Sequence, residues 1–182
     1  MESSRAPTIR LATAADAQRI ADIYNQGIAD RGATFETTPR TAADIARQLM
    51  AAAEAGVLRS PPHLPQPMLV IEHAGAVAGW AALSSYSPRR CYAGIGEFSI
   101  YLDRAARGQG LGRLLLEALI AEAARLGYWK LLSRIFPFNA ASLALCRTCG
   151  FREVGTYEKH GQLDGRWLDV VIVERLIPES QR

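Results

Sequence analysis

The stretch from Glu97 to Leu119, EFSIYLDRAARGQGLGRLLLEAL, limits what the rest of the chain can be. An apolar strand candidate empties into Arg107-Gly108-Gln109-Gly110-Leu111-Gly112, and an amphipathic helix follows at once. Backbone N–H groups of a loop entering a helix converge on one spot, and the helix dipole favours an anion there. Glycines let that backbone come close to phosphate oxygens, where a Cβ would intrude. A plain strand-to-helix turn needs neither three glycines in a row of six residues nor an arginine ahead of them. The stretch therefore reads as a cradle for a diphosphate, set where a strand gives way to a helix.

Three kinds of phosphate loop share this logic, and spacing separates them. A P-loop closes on Gly-Lys-Ser/Thr, whereas Gly112 is followed by Arg113 and Leu114. A dinucleotide-binding turn needs G-x-G-x-x-G, and Arg113 stands where its third glycine belongs. The register that fits is Arg107-x-x-Gly110-x-Gly112.

The surroundings are those of an α/β domain. Thr8 to Ala12 is a strand candidate, and Thr13-Ala-Ala-Asp16 opens a helix in the manner of a capping box, with Ile20, Ile23, Tyr24 and Ile28 on one face and Gly32 at its end. Ala33 to Thr37 reads as extended. Thr41-Ala-Ala-Asp44 opens a second helix that ends near Gly56. Val57 to Pro67 holds four prolines and is neither helix nor central strand, so it reads as a surface loop within one domain. Met68–Glu72 and Ala76–Ser85 flank a hairpin turn, and Cys91–Leu102 is the next strand. After the Gly-rich turn, a helix runs to Leu126 and is closed by Gly127. Lys130–Phe136 is a strand, Asn139–Cys149 a helix closed by Gly150, and Arg152–Lys159 and Trp167–Leu176 are the last strands. The order β-α-α-β-β-β-α-β-α-β-β predicts a mixed central sheet with helices on both faces, a single domain over residues 8–177, with 1–7 a disordered start and 178–182 a tail.

Composition excludes other classes. With 182 residues, 49% hydrophobic and 21% charged, the chain suits one domain with a full core. A net charge of +3 without a dense Lys/Arg block gives no support to a nucleic-acid or membrane-surface role. No apolar run is long enough to span a bilayer, and the first ten residues lack a signal peptide's apolar centre. Three cysteines make no disulfide framework, so a reducing cytoplasm is the expected setting. Cys146 and Cys149 spell C-x-x-C, but at a helix C-terminus rather than the N-terminus where the dipole activates such thiols. Cys91 and three scattered histidines do not complete a metal site, and none is expected.

The Arg107-x-x-Gly110-x-Gly112 spacing, the strand before it, Asn139 at the start of the next helix and the terminal Gly150-Phe151 together resemble the GNAT superfamily of N-acetyltransferases across about residues 8–177. Within it, Thr34-Phe35-Glu36-Thr37-Thr38-Pro39, Glu97-Phe98-Ser99-Ile100-Tyr101 and Lys159-His160-Gly161 followed by Trp167-Leu168-Asp169-Val170 resemble phosphinothricin- and arsinothricin-type acetyltransferases. The resemblance implies the GNAT fold, acetyl-CoA as co-substrate, a small-molecule amine as acceptor and a homodimer. It implies that Gly108, Gln109, Gly110, Leu111 and Gly112 hold the pyrophosphate with Arg107. The pantetheine arm would run along Ile100, Tyr101 and Leu102 like one more strand, and Asn139 and Ser142 would lie near the thiol end. Asn139 is equally readable as a simple N-cap.

Acetyl transfer needs a deprotonated amine, a polarised thioester and a proton for the leaving thiolate. Glu97 is the candidate base, at the start of an apolar strand where partial burial raises a carboxyl pKa; the alternative is an exposed strand-end carboxylate. Cys146 stands where many relatives carry a tyrosine acid. Its thiol offers a proton, or it is a small buried apolar residue. Arg89 and Arg90 are candidate clamps for an acidic acceptor, and the resemblance adds Tyr92, with Phe35 and Glu36 as walls and His160 as a further lining residue. The resulting reading is an enzyme that acetylates the α-amine of phosphinothricin, arsinothricin or methionine sulfoximine. The alternatives are a protein N-terminus or a polyamine as acceptor, or a non-catalytic acyl-CoA-binding module.

Overall fold

A computed structural model describes residues 6–57 and 64–178, without the side chains of 53–57. The expectations for the first five residues, for Pro61 and Pro62 and for residues 179–182 lie outside the described part. Seven strands and four α-helices follow in the predicted order: β1 Thr8–Leu11, α1 Ala17–Asp30, α2 Ala42–Val57, β2 Met68–His73, β3 Ala76–Ser85, β4 Ile95–Leu102, α3 Leu111–Leu126, β5 Lys130–Ile135, α4 Ala140–Thr148, β6 Arg152–Leu163 and β7 Arg166–Leu176.

The strands form one sheet in the order β1-β2-β3-β4-β5-β7-β6. Every neighbouring pair is antiparallel except β4 with β5. β2 shows how the layers arise. Successive side chains of a strand face opposite ways, and β2 buries both sets. Leu69 and Ile71 join a core with Leu115, Leu119 and Phe98 under α3 and α4. Met68 and Val70 join a second core with Ile20, Ile23 and Trp80 under α1 and α2. Helices therefore cover both faces of a mixed sheet, as expected.

Boundaries moved where a local rule was outweighed. Arg31, not Gly32, takes the left-handed position that ends α1, at φ 55°. Its guanidinium offsets that strain by donating to the Ile28 carbonyl and pairing with Asp164. Ala33–Thr37 forms no strand. Residues 91–94 are not strand either: Arg90–Tyr92 make a single 3-10 turn before β4. β6 runs past Lys159 because its ladder slips between Tyr157 and Gly161 and then resumes. Lys159 sits in the slip at φ 47°, with its N–H donated to Asp169 Oδ1 at 2.7 Å. The β6–β7 hairpin then turns on Asp164-Gly165, both at positive φ, the geometry that two-residue hairpins favour. The described end of the Pro-rich segment is tied to the core, with the Pro65 carbonyl accepting from the Tyr128 hydroxyl at 3.1 Å.

Candidate active site

The site is built around the one parallel pairing. β4 and β5 pair only from Ile95–Lys130 to Glu97–Leu132. Both strands continue beyond that point, β4 to Leu102 and β5 to Ile135, but apart. Ser133 Oγ donates to the Phe98 carbonyl at 2.9 Å, where the ladder stops. On its other side β4 stays paired to β3 as far as Leu102. One edge of Ile100–Leu102 therefore faces a cleft without a strand to complete it.

That cleft has two chambers. The first, of about 500 Å³, is lined by Ile100, Tyr101, Leu102, Arg107, Gly108, Gly110, Gly112, Asn139 and Ser142. Gly108 and Gly110 hold positive φ, at 76° and 78°, and α3 starts at the next residue. Among the described residues, the N–H groups from Gly108 to Gly112 find no acceptor within the chain; the first turn's earliest internal bond is from Arg113 to Gly110. Five successive unpaired donors at a helix N-terminus fit an anion. A Cβ on Gly112 would come within 3.3 Å of Leu102 and 3.4 Å of Leu145, so that glycine also allows α3 to sit close. Leu111 is in the core and the Gln109 side chain folds back onto the Ala105 carbonyl, so these two contribute backbone only.

Arg107 does not stand there as a lone charge. It pairs with Asp30 at 3.1 Å, and Arg104 grips the same carboxylate. Arg104 first, then Arg107, holds the Asp30 carboxyl below the usual range. Asn139 is an N-cap and more: its Oδ1 accepts from Ser142 N–H at 3.1 Å, and its amide donates to Gly32 O at 2.9 Å.

The second chamber, of about 600 Å³, lies beyond the strand split and is lined by Phe35, Glu36, Arg40, Glu97, Arg134 and His160 among others. Phe35 meets Phe136 edge-on at 4.8 Å and rests on Gly161, where a Cβ would be 2.9 Å from the ring. The slip in β6 thus carries both His160 and the Phe35 wall. A narrow crevice of about 70 Å³ joins the chambers, bordered by Ser99, Ser133, Arg134, Asn139 and Ser142.

Glu97 lines the second chamber, with its side chain 21% exposed, next to Arg134, which borders the crevice. Glu97 has a charged partner that the sequence did not announce. Arg134 holds it on both oxygens, with Nε 2.9 Å from Oε1. Cys146 borders the crevice but is buried in the core, and burial pushes its thiol up to about 12. The thiol is therefore a small packed residue, not the accessible proton donor that remained an option. Arg89 and Tyr92 line none of these chambers. Arg89 stacks on Tyr92 at 5.7 Å, before the opposite end of β4. Arg90 stands in the same 3-10 turn. Sequence reasoning missed Arg134, although a charged residue inside the apolar strand Lys130–Ile135 was a signal. It also missed Asp30. Among the described residues, no cluster of side chains could hold a metal ion and no helix is long and apolar enough to cross a membrane.

A diphosphate cradle and a second chamber, joined across a split between parallel strands, define a group-transfer enzyme that works on a nucleotide-bearing donor. Residues 39–151 match the model of the acetyltransferase (GNAT) family, and the chain belongs to that family and is an N-acetyltransferase. An L-methionine sulfoximine/L-methionine sulfone acetyltransferase of Salmonella typhimurium is 34% identical over 177 residues, 94% of this chain and 95% of that one. A phosphinothricin acetyltransferase of Sinorhizobium meliloti, solved in complex with acetyl-CoA, superposes with a TM-score of 0.83 at 33% identity, over 95% of this chain and 89% of that one. A ribosomal-protein-alanine N-acetyltransferase of Brucella melitensis superposes with a TM-score of 0.85 at 34% identity, over 93% and 99%.

Proposed function

We propose that this enzyme transfers the acetyl group of acetyl-CoA directly to the α-amine of a small amino-acid-like compound such as phosphinothricin, arsinothricin or methionine sulfoximine. The observation that carries the reading is the meeting of the two chambers at the β4–β5 split, with the Glu97 carboxylate in the second chamber held by an arginine that borders the crevice. The N–H groups of Gly108 to Gly112 hold the pyrophosphate, and the open edge of Ile100–Leu102 takes the amide-rich pantetheine arm. Asn139 and Ser142 border the thiol end. Glu97 accepts the amine's proton, directly or through a water. The amine attacks the thioester carbon, the C–S bond breaks, and the CoA thiolate takes its proton from solvent, since Cys146 is buried.

Phe35, Glu36 and His160 bound the acceptor chamber. The relatives that act on methionine sulfoximine and phosphinothricin support the acceptor class. The experiment is a thiol-release assay with acetyl-CoA over amino-acid analogues. Release with those analogues supports the reading. Release only with peptides would favour protein N-termini, the acceptor suggested by the Brucella relative's name. Tight acetyl-CoA binding with no release would favour a binding module.

We also infer a homodimer and a cytoplasmic setting. Val154, Tyr157, Trp167 and Leu176 expose apolar surface along β6 and β7, with β6 at the sheet edge. The three cysteines are free, which suits a reducing compartment. Light scattering in line with size exclusion tests the first inference, and a monomer mass would overturn it.

A further inference from the structure

Two Glu–Arg pairs face the acceptor chamber, Glu97 with Arg134 and Glu36 with Arg40. Of the two arginines, Arg134 also borders the crevice that leads to the cofactor chamber. It stands in β5, two residues past Leu132, the last one paired to β4, so it sits where the parallel strands have parted. Its guanidinium spends Nε and Nη2 on Glu97. Nη1, which carries two more N–H donors, makes no hydrogen bond with any described residue. The side chain is 44% exposed, so that edge is reachable from the chamber.

We propose that Arg134 determines acceptor specificity: its unused Nη1 edge takes the acceptor's α-carboxylate while its other edge remains on Glu97. The amine and carboxylate of an α-amino acid share one carbon. A guanidinium that holds the carboxylate therefore sets the amine beside the carboxylate it already grips. The arginine also offsets the repulsion between two anions brought together in the chamber, and its planar fork suits a carboxylate on each side. The acceptor class that follows is the free α-amino acid. An amino acid amide or a peptide N-terminus presents a neutral carbonyl to Arg134 and gains no charge-assisted bond. This inference rests on the acetyl-transfer reading above.

The test compares L-methionine sulfone with its α-carboxamide as acceptors, in the unaltered enzyme, R134Q and R134K, by thiol release. The unaltered enzyme is expected to favour the free acid through KM. R134Q should shrink the acid-to-amide ratio of kcat/KM by about 10- to 100-fold, the scale of a hydrogen bond to a charged group. R134K should recover part of that ratio, because a charge without a fork restores attraction but not geometry. An equal loss on both acceptors in R134Q would show that Arg134 only supports Glu97, and would overturn the proposal. So would an unchanged ratio. Thiol release by the unaltered enzyme with neither acceptor would instead reject the acetyl-transfer reading, and the clamp with it. A thermal melt of R134K, which keeps the charge opposite Glu97, identifies any loss that comes from misfolding.

Discussion

Asn139 donates its side-chain amide to the Gly32 carbonyl across 107 residues of chain, at 2.9 Å. The same side chain caps α4 through Ser142 N–H. One residue thus joins the loop after α1 to the start of α4, and these are two walls of the cofactor chamber. Asn139→Ala should cost about 1–2 kcal/mol of stability and raise the acetyl-CoA KM. Asn139→Asp keeps the capping oxygen and loses only the tie to Gly32. Urea melts together with acetyl-CoA titrations of the two variants separate the contributions.

Gly110 holds φ 78° at the N-cap of α3, and no atom lies near its missing Cβ. Gly110→Ala therefore meets strain from the backbone and not from a neighbour, about 1–2 kcal/mol. The expected relief is a rotation of that peptide, which turns N–H donors away from the cradle. Acetyl-CoA KM should rise by ~10-fold, the equivalent of ~1.4 kcal/mol, while the acceptor KM stays put. An unaltered acetyl-CoA KM would show that these donors do not hold the pyrophosphate.

Glu97→Gln should lower kcat by about 100- to 10,000-fold, the range of a lost general base, with acetyl-CoA binding retained by calorimetry. The expectation depends on Glu97 lining the acceptor chamber, and an isosteric amide leaves the packing there in place. Turnover within a few-fold of the unaltered enzyme would remove Glu97 from the mechanism.

Cys146→Ala should leave kcat unchanged. Burial already raises that thiol to about 12, too high for useful proton exchange near neutrality. Its cost should appear in stability instead, about 1 kcal/mol for a small vacated volume. A large fall in kcat without a fall in stability would restore the thiol as an acid.

Asp16 is one of the carboxylates that make stability depend on pH. Arg10 is the main reason that its carboxyl falls from 3.8 to about 2, with Thr13 N–H and hydroxyl adding to the effect. The folded value lies below the unfolded one. Its stabilisation is therefore complete above about pH 4 and is lost as the pH falls from there towards 2, about 2 kcal/mol in all. Asp16→Asn should lose that amount at neutral pH and show a flatter acid limb in melting temperature. An acid limb as steep as the unaltered enzyme's would assign the effect to other carboxylates.

The element order and the cradle were legible in the sequence because both depend on neighbours in the chain. Capping boxes at Thr13–Asp16 and Thr41–Asp44, glycines after α3 and α4, and the Gly108–Gly112 run each act within a few residues. What was not legible depends on registers between distant segments. Nothing near Glu97 announces Arg134, 37 residues later, because only the parallel pairing of β4 with β5 brings them together. Arg89 and Tyr92 precede Glu97 by only a few residues, yet the 3-10 turn and the direction of β4 leave them away from the chamber. Lys159 gave no local sign of the ladder slip, since Asp169 on the partner strand stabilises it.

The Gly-rich turn rests on a helix from the other end of the chain. Asp103, which opens the approach to the turn, receives Arg19 at 2.7 Å and Gln26 at 2.9 Å from α1, and caps its own loop through Ala105 N–H. Gln26 in turn accepts from Arg104 N–H, and Asp30 takes Arg104 and Arg107. Helix α1 is thus the fixed jaw of a vice whose other jaw is the turn. A ligand that tightens the turn should slow amide hydrogen exchange across residues 19–30, and a chimera that imports the Gly-rich turn from a relative must import Arg19, Gln26 and Asp30 with it.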